Sequence, residues 1–166
     1  MWALPKLFLD IALLRGKPQD APASPVVLGV VLALDIATTY FLIDGNIAGA
    51  RFDAVVIHTF ALALLVYGAL RWRGLSARFV QTANALFGGG IVVTLVAWVI
   101  ITALRVPFDI ENPNFMLLTL LLSLWVLAIM AQVLRHALEV PLAVAVLTTF
   151  AISLARSAFT LLVPLS

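Results

Sequence analysis

Two charges stand inside long apolar runs of this 166-residue chain, Asp35 and Arg156. A bare charge at the centre of a bilayer costs about 2.5 to 3.5 kcal/mol on insertion scales, so each needs a partner or a task. Asp35 lies ~14 Å into its run at 1.5 Å per residue. Thr38 and Thr39 follow it by one turn on the same face. Its carboxyl is a proton or cation site, the anchor of an ion pair, or a group satisfied by those hydroxyls. Arg156 belongs to a polar stripe of Thr149, Ser153, Arg156 or Ser157, and Thr160, spaced to fall on one helix face. A guanidinium keeps its charge at any accessible pH, so the stripe either joins helices or lines a polar path. The expectation is an intramembrane ion pair, Asp35 with Arg156, joining the first and last spans. Counted from the outer ends of their spans, the two charges lie ~13 Å and ~12 Å deep. Counted from the inner ends, they disagree by ~10 Å.

His58 sits in Ala54-x-x-x-His58-x-x-x-Leu62. That spacing resembles the chlorophyll-ligating pattern of bacterial light-harvesting polypeptides, which implies a pigment or haem ligand. The alternative is a hydrogen-bonded histidine near the outer end of its span. His136 falls near the opposite face beside Arg135 and Glu139, so the two histidines do not share a metal. Asp44, Asp53, Asp109 and Glu111 gather in the outer loops. Such acids offer oxygen ligands to a divalent cation, or are solvated loop charges. Neither a metal site nor a cofactor is expected. In Gly88-Gly89-Gly90, Ala85 and Gly89 have the spacing at which small residues let another helix approach closely. Three glycines also invite a bend, and a hinge or cavity is the other reading of the run.

The elements that must hold these residues follow from composition. The chain is 64% hydrophobic and 11% charged, against about 45–50% and about 25% in soluble domains. A net charge of +2 without a Lys/Arg block argues against a nucleic-acid partner, and the absence of cysteine excludes disulfides and thiolate metal sites. About 20 apolar residues cross the hydrocarbon core. Five runs qualify: Val26 to Ile43, Ala54 to Leu70, Phe79 to Leu104, Phe115 to Leu134 and Val140 to Val163. Asp44-Gly45-Asn46 and Arg71-Trp72-Arg73-Gly74 are turn signals between them. Asn112-Pro113 suits a helix start, and the short Arg135–Pro141 break makes a tight hairpin.

Before the first span, Leu4, Leu7, Phe8, Ile11 and Leu14 recur at helical spacing, with Trp2 as an interfacial anchor. They predict an amphipathic helix on the membrane surface or partly embedded in it. Residues 1–25 read as this interfacial helix and its linker, and 26–166 as one transmembrane domain. Lys6, Arg15, Lys17, Arg71, Arg73, Arg78 and Arg135 fall on one side, and Arg51 and Arg105 on the other. The positive-inside rule then places the amino terminus in the cytoplasm and the carboxyl terminus outside a bacterial inner membrane.

The stretch from Gly74-Leu75-Ser76-Ala77-Arg78-Phe79 through Ala85-Leu86-Phe87-Gly88, and later Trp125 to Ile129 and Val133 to Leu138, resembles the small bacterial members of the Yip1-like membrane proteins. The resemblance implies five spans after a cytoplasmic segment and a non-enzymatic protein that associates with lipids or other membrane proteins. The Asp-Leu-Tyr-Gly-Pro type segment of the eukaryotic members has no counterpart in Asp10 to Leu14, so their trafficking role is not carried over. No nucleophile–base system, phosphate loop or His-Glu-x-x-His motif is present. The expected protein is an all-α, five-helix membrane bundle serving as an accessory or scaffold subunit. The alternatives are a small transporter or channel component using Asp35 and Arg156, and a pigment- or haem-bearing subunit through His58. Oligomeric state is open.

Overall fold

The computed structural model describes residues 3–43, 51–109 and 111–161. Trp2, the Asp44-Gly45-Asn46 turn, the Thr160 side chain and the last residues of the fifth run lie outside what it describes. Six helices and no strand occur among the described residues: α1 (Ala3–Ala12), α2 (Pro25–Thr38), α3 (Phe52–Trp72), α4 (Phe79–Ala103), α5 (Pro113–Leu138) and α6 (Leu142–Leu161). Five of them, α2 to α6, are long and apolar enough to cross a membrane. The chain is an all-α membrane bundle.

Local chemistry sets the ends. Ser24 caps α2 by accepting the Val27 N–H at 3.4 Å, with Pro25 at the first helical position. Asn112 caps α5, accepting from Asn114 and Phe115, again ahead of a proline. Gly74, at φ +72°, ends α3 in a left-handed turn. There Leu75 N–H donates to Leu70 O at 2.8 Å and Gly74 N–H to Arg71 O at 3.0 Å, the paired bonds of a Schellman motif.

Contacts among the spans trace a ring: α2 on α4, α4 on α5, α5 on α6, α6 on α3, and α3 back to α2, with α3 also touching α4. Outward faces are apolar and exposed, as at Leu117, Leu120, Leu121 and Leu124 of α5. That is the arrangement lipid demands. At one end of the bundle Arg78 and Glu139 form an ion pair at 2.6 Å, tying the start of α4 to the α5–α6 turn.

The amphipathic segment packs into the bundle. α1 packs on the back of α4 and against α5. Leu7, Phe8, Ile11 and Ala12 face the bundle, while Leu4, Leu9, Leu13 and Leu14 are exposed. Phe8 meets Gly88, about nine residues or ~14 Å from the start of α4. From there residues 13–24 cross behind α4, held by three bonds. Trp125 indole N–H donates to Ala12 O at 2.8 Å, Gln19 Nε2 to His136 O at 3.2 Å, and Asn84 Nδ2 to Pro22 O at 2.8 Å. With α1 and this strap behind it and α2 and α5 at its sides, α4 is buried at every residue from Thr82 to Gly89. An ordinary helix of a bundle buries one stripe. Here a third of a helix has become the core.

Candidate functional site

The glycine run is read residue by residue by three different neighbours. A Cβ on Gly88 would stand 2.7 Å or less from three ring atoms of Phe8, so this glycine is the seat of α1. A Cβ on Gly89 would meet Ile11 of α1 at 3.3 Å and Ile129 of α5 at 3.4 Å. Ala85, one turn earlier, is fully buried. The close approach therefore admits the amino-terminal helix as well as a neighbouring span. Gly90 looks the other way. A Cβ there would lie 3.3 Å from Asp35 Oδ1, so its absence lets the carboxylate lie against the α4 backbone. α4 runs unbroken through all three, without the break a hinge needs.

Beyond Gly90 the ring of helices lines a partly open cavity of about 530 Å³. Asp35 enters it from α2, His58 and Thr59 from α3, and Arg156 from α6, while Thr94 of α4 and Ser123 of α5 add hydroxyls. All five spans contribute. Thr59 Oγ1 donates to Asp35 Oδ2 at 3.4 Å. Arg156 lies within electrostatic range of Asp35 and of His58. Ala54, His58 and Leu62 all line this cavity, so the pattern seen in the sequence is one inward face of α3.

Asp35 and Arg156 also lie at one depth. The Arg78–Glu139 pair sets a common level for the starts of α4 and α6. Counted from the first residues of α4 and α6, Gly90, with Asp35 against it, is then ~17 Å along the bundle and Arg156 ~21 Å along, less than one helical turn apart. The mismatch of ~10 Å counted from the inner ends of the spans has a physical origin. Pro22 is bound at Asn84, so α2 starts deeper in the bundle than α4, and counting from the inner ends understates the depth of Asp35.

Their expected direct pairing needs correction. Among the described residues the ion pairs within contact distance are Arg51–Asp53 at 2.5 Å and Arg78–Glu139. Asp35 and Arg156 instead face one cavity, because α2 packs on α4 and α3 while α6 packs on α5 and α3. The polar stripe of α6 divides accordingly. Thr149 is buried, Ser153 and Arg156 face the cavity, and Ser157 is exposed, donating to Ser153 O.

Just past Asp35 the α2 backbone changes pitch. Residues Thr39–Ile43 form a π-helical turn, and Thr39 and Ile43 both border the cavity. Such turns are rare and recur at functional sites. The floor of the cavity, toward the Arg78 end, is apolar: Leu62, Leu86, Phe87, Ile129 and Met130.

His136 lies far from this site, in contact with Gln132 and with the strap. Asp53 lies in the first turn of α3 and not in a loop, engaged by Arg51, while Asp109 accepts from the Glu111 N–H in the α4–α5 loop. No group of three or more metal-ligating side chains occurs among the described residues.

Thr59, Thr94 and Ser123 were invisible as site residues in the sequence. A lone hydroxyl in an apolar span ordinarily bonds back to its own helix, as Thr119 does to Phe115 O and Thr148 to Val144 O. Only tertiary structure separates the two uses. Compared with known proteins, the chain matches no family model, no curated protein and no solved structure. The Yip1-like resemblance thus has no family match beneath it.

Proposed function

We propose that this protein is a membrane-embedded binder and carrier of a small polar solute, the small-transporter reading of the two intramembrane charges. One observation carries it: a cavity of about 530 Å³ near the middle of the spans, into which five helices bring Asp35, His58, Arg156 and several hydroxyls. Its volume falls within the ~300–1,000 Å³ of small-molecule sites. Sites of secondary transporters likewise sit near the midplane beside irregular helix backbone, the setting that the Thr39–Ile43 turn supplies. A scaffold or accessory role has no comparable observation behind it. In this proposal the protein is not an enzyme. It sits in the bacterial inner membrane with its amino terminus in the cytoplasm, supported by the bias of Lys and Arg.

The test is thermal stabilisation of purified protein by a panel of small carboxylates, amines, amino acids and sugars. It is run beside Thr94→Trp, which fills the cavity and leaves both charges in place. At least one class should raise the melting temperature of the unaltered protein and not of Thr94→Trp. If no class does so, or if the rise survives a filled cavity, the proposal fails.

A further inference from the structure

We infer that the α1 side of the bundle is a seat for phospholipid headgroups, which lie ~10 Å deeper there than on the α3–α6 side, so that the protein thins the adjoining leaflet. The inference stands apart from the cavity and rests on where α1 meets the spans. Phe8 packs on Gly88, ~14 Å along α4, and against the cluster of Val31, Ala83 and Phe87. Ala12 O accepts from the Trp125 indole, which is ~20 Å back from the end of α5. α1 therefore crosses α4 toward α5 at a level ~14–20 Å from the Arg78 end. Its outer side carries Lys6, and the turn after it Arg15, both exposed among Leu4, Leu9, Leu13 and Leu14, while Asp10 is half-buried. Exposed basic residues among leucines suit a helix lying at the boundary of headgroups and acyl chains. Deep hydrocarbon would leave both charges unsolvated.

The other side of the bundle sets its boundary elsewhere. The first half of α6 carries no charged residue, and Val144 and Leu147, ~3 Å and ~8 Å along it, are exposed. Leu64 of α3 is exposed ~12 Å back from Trp72. Hydrocarbon thus begins within the first turns of α6 and only at α1 on the far side. Past α1, ~22 Å of α4 and ~18 Å of α5 remain, against about 30 Å for an ordinary hydrocarbon core. A bilayer meets a short span by thinning. Charge selects the occupant of the α1 face. The exposed charges of α1 and its turn, Lys6 and Arg15, have one sign. A second copy on this face would set like charges together, whereas lipid phosphates complement both.

The chain has no cysteine, so single nitroxide labels can be placed at chosen sites. Labels on Leu9→Cys and Leu13→Cys of α1 are compared with one on Leu147→Cys of α6, in the full chain in nanodiscs of phosphatidylcholine and phosphatidylglycerol. Collision with a water-soluble nickel complex should be roughly fivefold or more higher for the α1 labels, although Leu147 is nearer the Arg78 end. α1 labels shielded from nickel and open to oxygen would place α1 in hydrocarbon and overturn the inference. Labels shielded from both would mean that a second copy or another protein covers the face, which overturns it too. Adding Lys6→Leu and Arg15→Leu to the Leu13 label should remove about half or more of its exposure to nickel. Unchanged exposure would show that these charges hold no headgroups. The unaltered chain gives a second reading, free of any folding defect, because its lysines are Lys6 and Lys17 alone. A water-soluble acylating reagent should modify both in the same nanodiscs. Modification of Lys17 without Lys6 would overturn the inference.

Discussion

Gly90 and Asp35 meet across the α2–α4 contact so closely that a single added carbon would stand 3.3 Å from the carboxylate oxygen. A carboxylate is thereby held against bare backbone at the wall of the cavity. Gly90→Ala should cost under ~1 kcal/mol, because the carboxylate can give by a few tenths of an ångström, whereas Gly90→Val should cost ~1–3 kcal/mol through overpacking. Thermal melting in detergent measures both. Equal tolerance of alanine and valine would mean that the carboxylate does not rest there.

The glycines separate into seats and bystanders. Gly88 and Gly89 carry contacts, while a Cβ on Gly29 or Gly68 would meet nothing within 4 Å. Gly88→Ala should therefore destabilise by ~1–3 kcal/mol as Phe8 is pushed from its place, and Gly89→Leu should lower the melting temperature more than Leu at Val93. Gly68→Ala should be neutral or stabilising by up to ~1 kcal/mol, since alanine is the better helix former. A destabilisation at Gly68 as large as that at Gly88 would contradict the contact pattern.

Asp35 and Arg156 should be coupled, and weakly. Charges that face a cavity without touching fall toward the low end of the ~0.5–3 kcal/mol seen for interacting residues. The double-mutant cycle of Asp35→Ala and Arg156→Ala should give ~0.5–1 kcal/mol of interaction, the double mutant recovering that much of the summed losses. Recovery of ~3 kcal/mol or more is the mark of a direct buried pair and would contradict the arrangement described.

Asn84 is fully buried and spends its amide on Pro22. Asn84→Ala should cost ~1–3 kcal/mol, because the half-buried Pro22 carbonyl loses its donor. Gln81, only partly buried, serves as the control. A matching loss at Gln81→Ala would show that the bond to Pro22 carries no particular weight.

A reporter active only outside the cytoplasm should be active when fused at the carboxyl terminus and silent when fused near Gly74. The reverse pattern would invert the orientation drawn from the seven basic residues of one side and the two of the other.

The spans were legible because length and apolarity are properties of a single helix. Pro113 and Gly74 marked two of their ends through local backbone preferences that need no tertiary partner. Asp35 and Arg156 were legible as well, since a charge in an apolar run is costly wherever the helix stands. How the two relate was not. Counting residues assumes that every span begins at the same surface, and α2 begins at the level of Asn84. The glycine run announced close approach without naming the visitor, because a missing side chain has the same meaning for a span, for α1 and for a carboxylate. α1 had the periodicity of a helix at an interface. Its real partner is Gly88, about eighty residues away, and no local pattern encodes that.

The strap also fixes an order of assembly. Its hydrogen bonds join residues 62, 113 and 117 positions apart, and every partner is synthesised after it. The amino-terminal helix leaves the ribosome first and docks last, since Gly88, Trp125 and His136 must all be in the bilayer before its seat exists. A nascent chain stalled before α5 emerges therefore lacks two of the three bonds that hold the strap. The belt around α4 cannot close until α5 is in place.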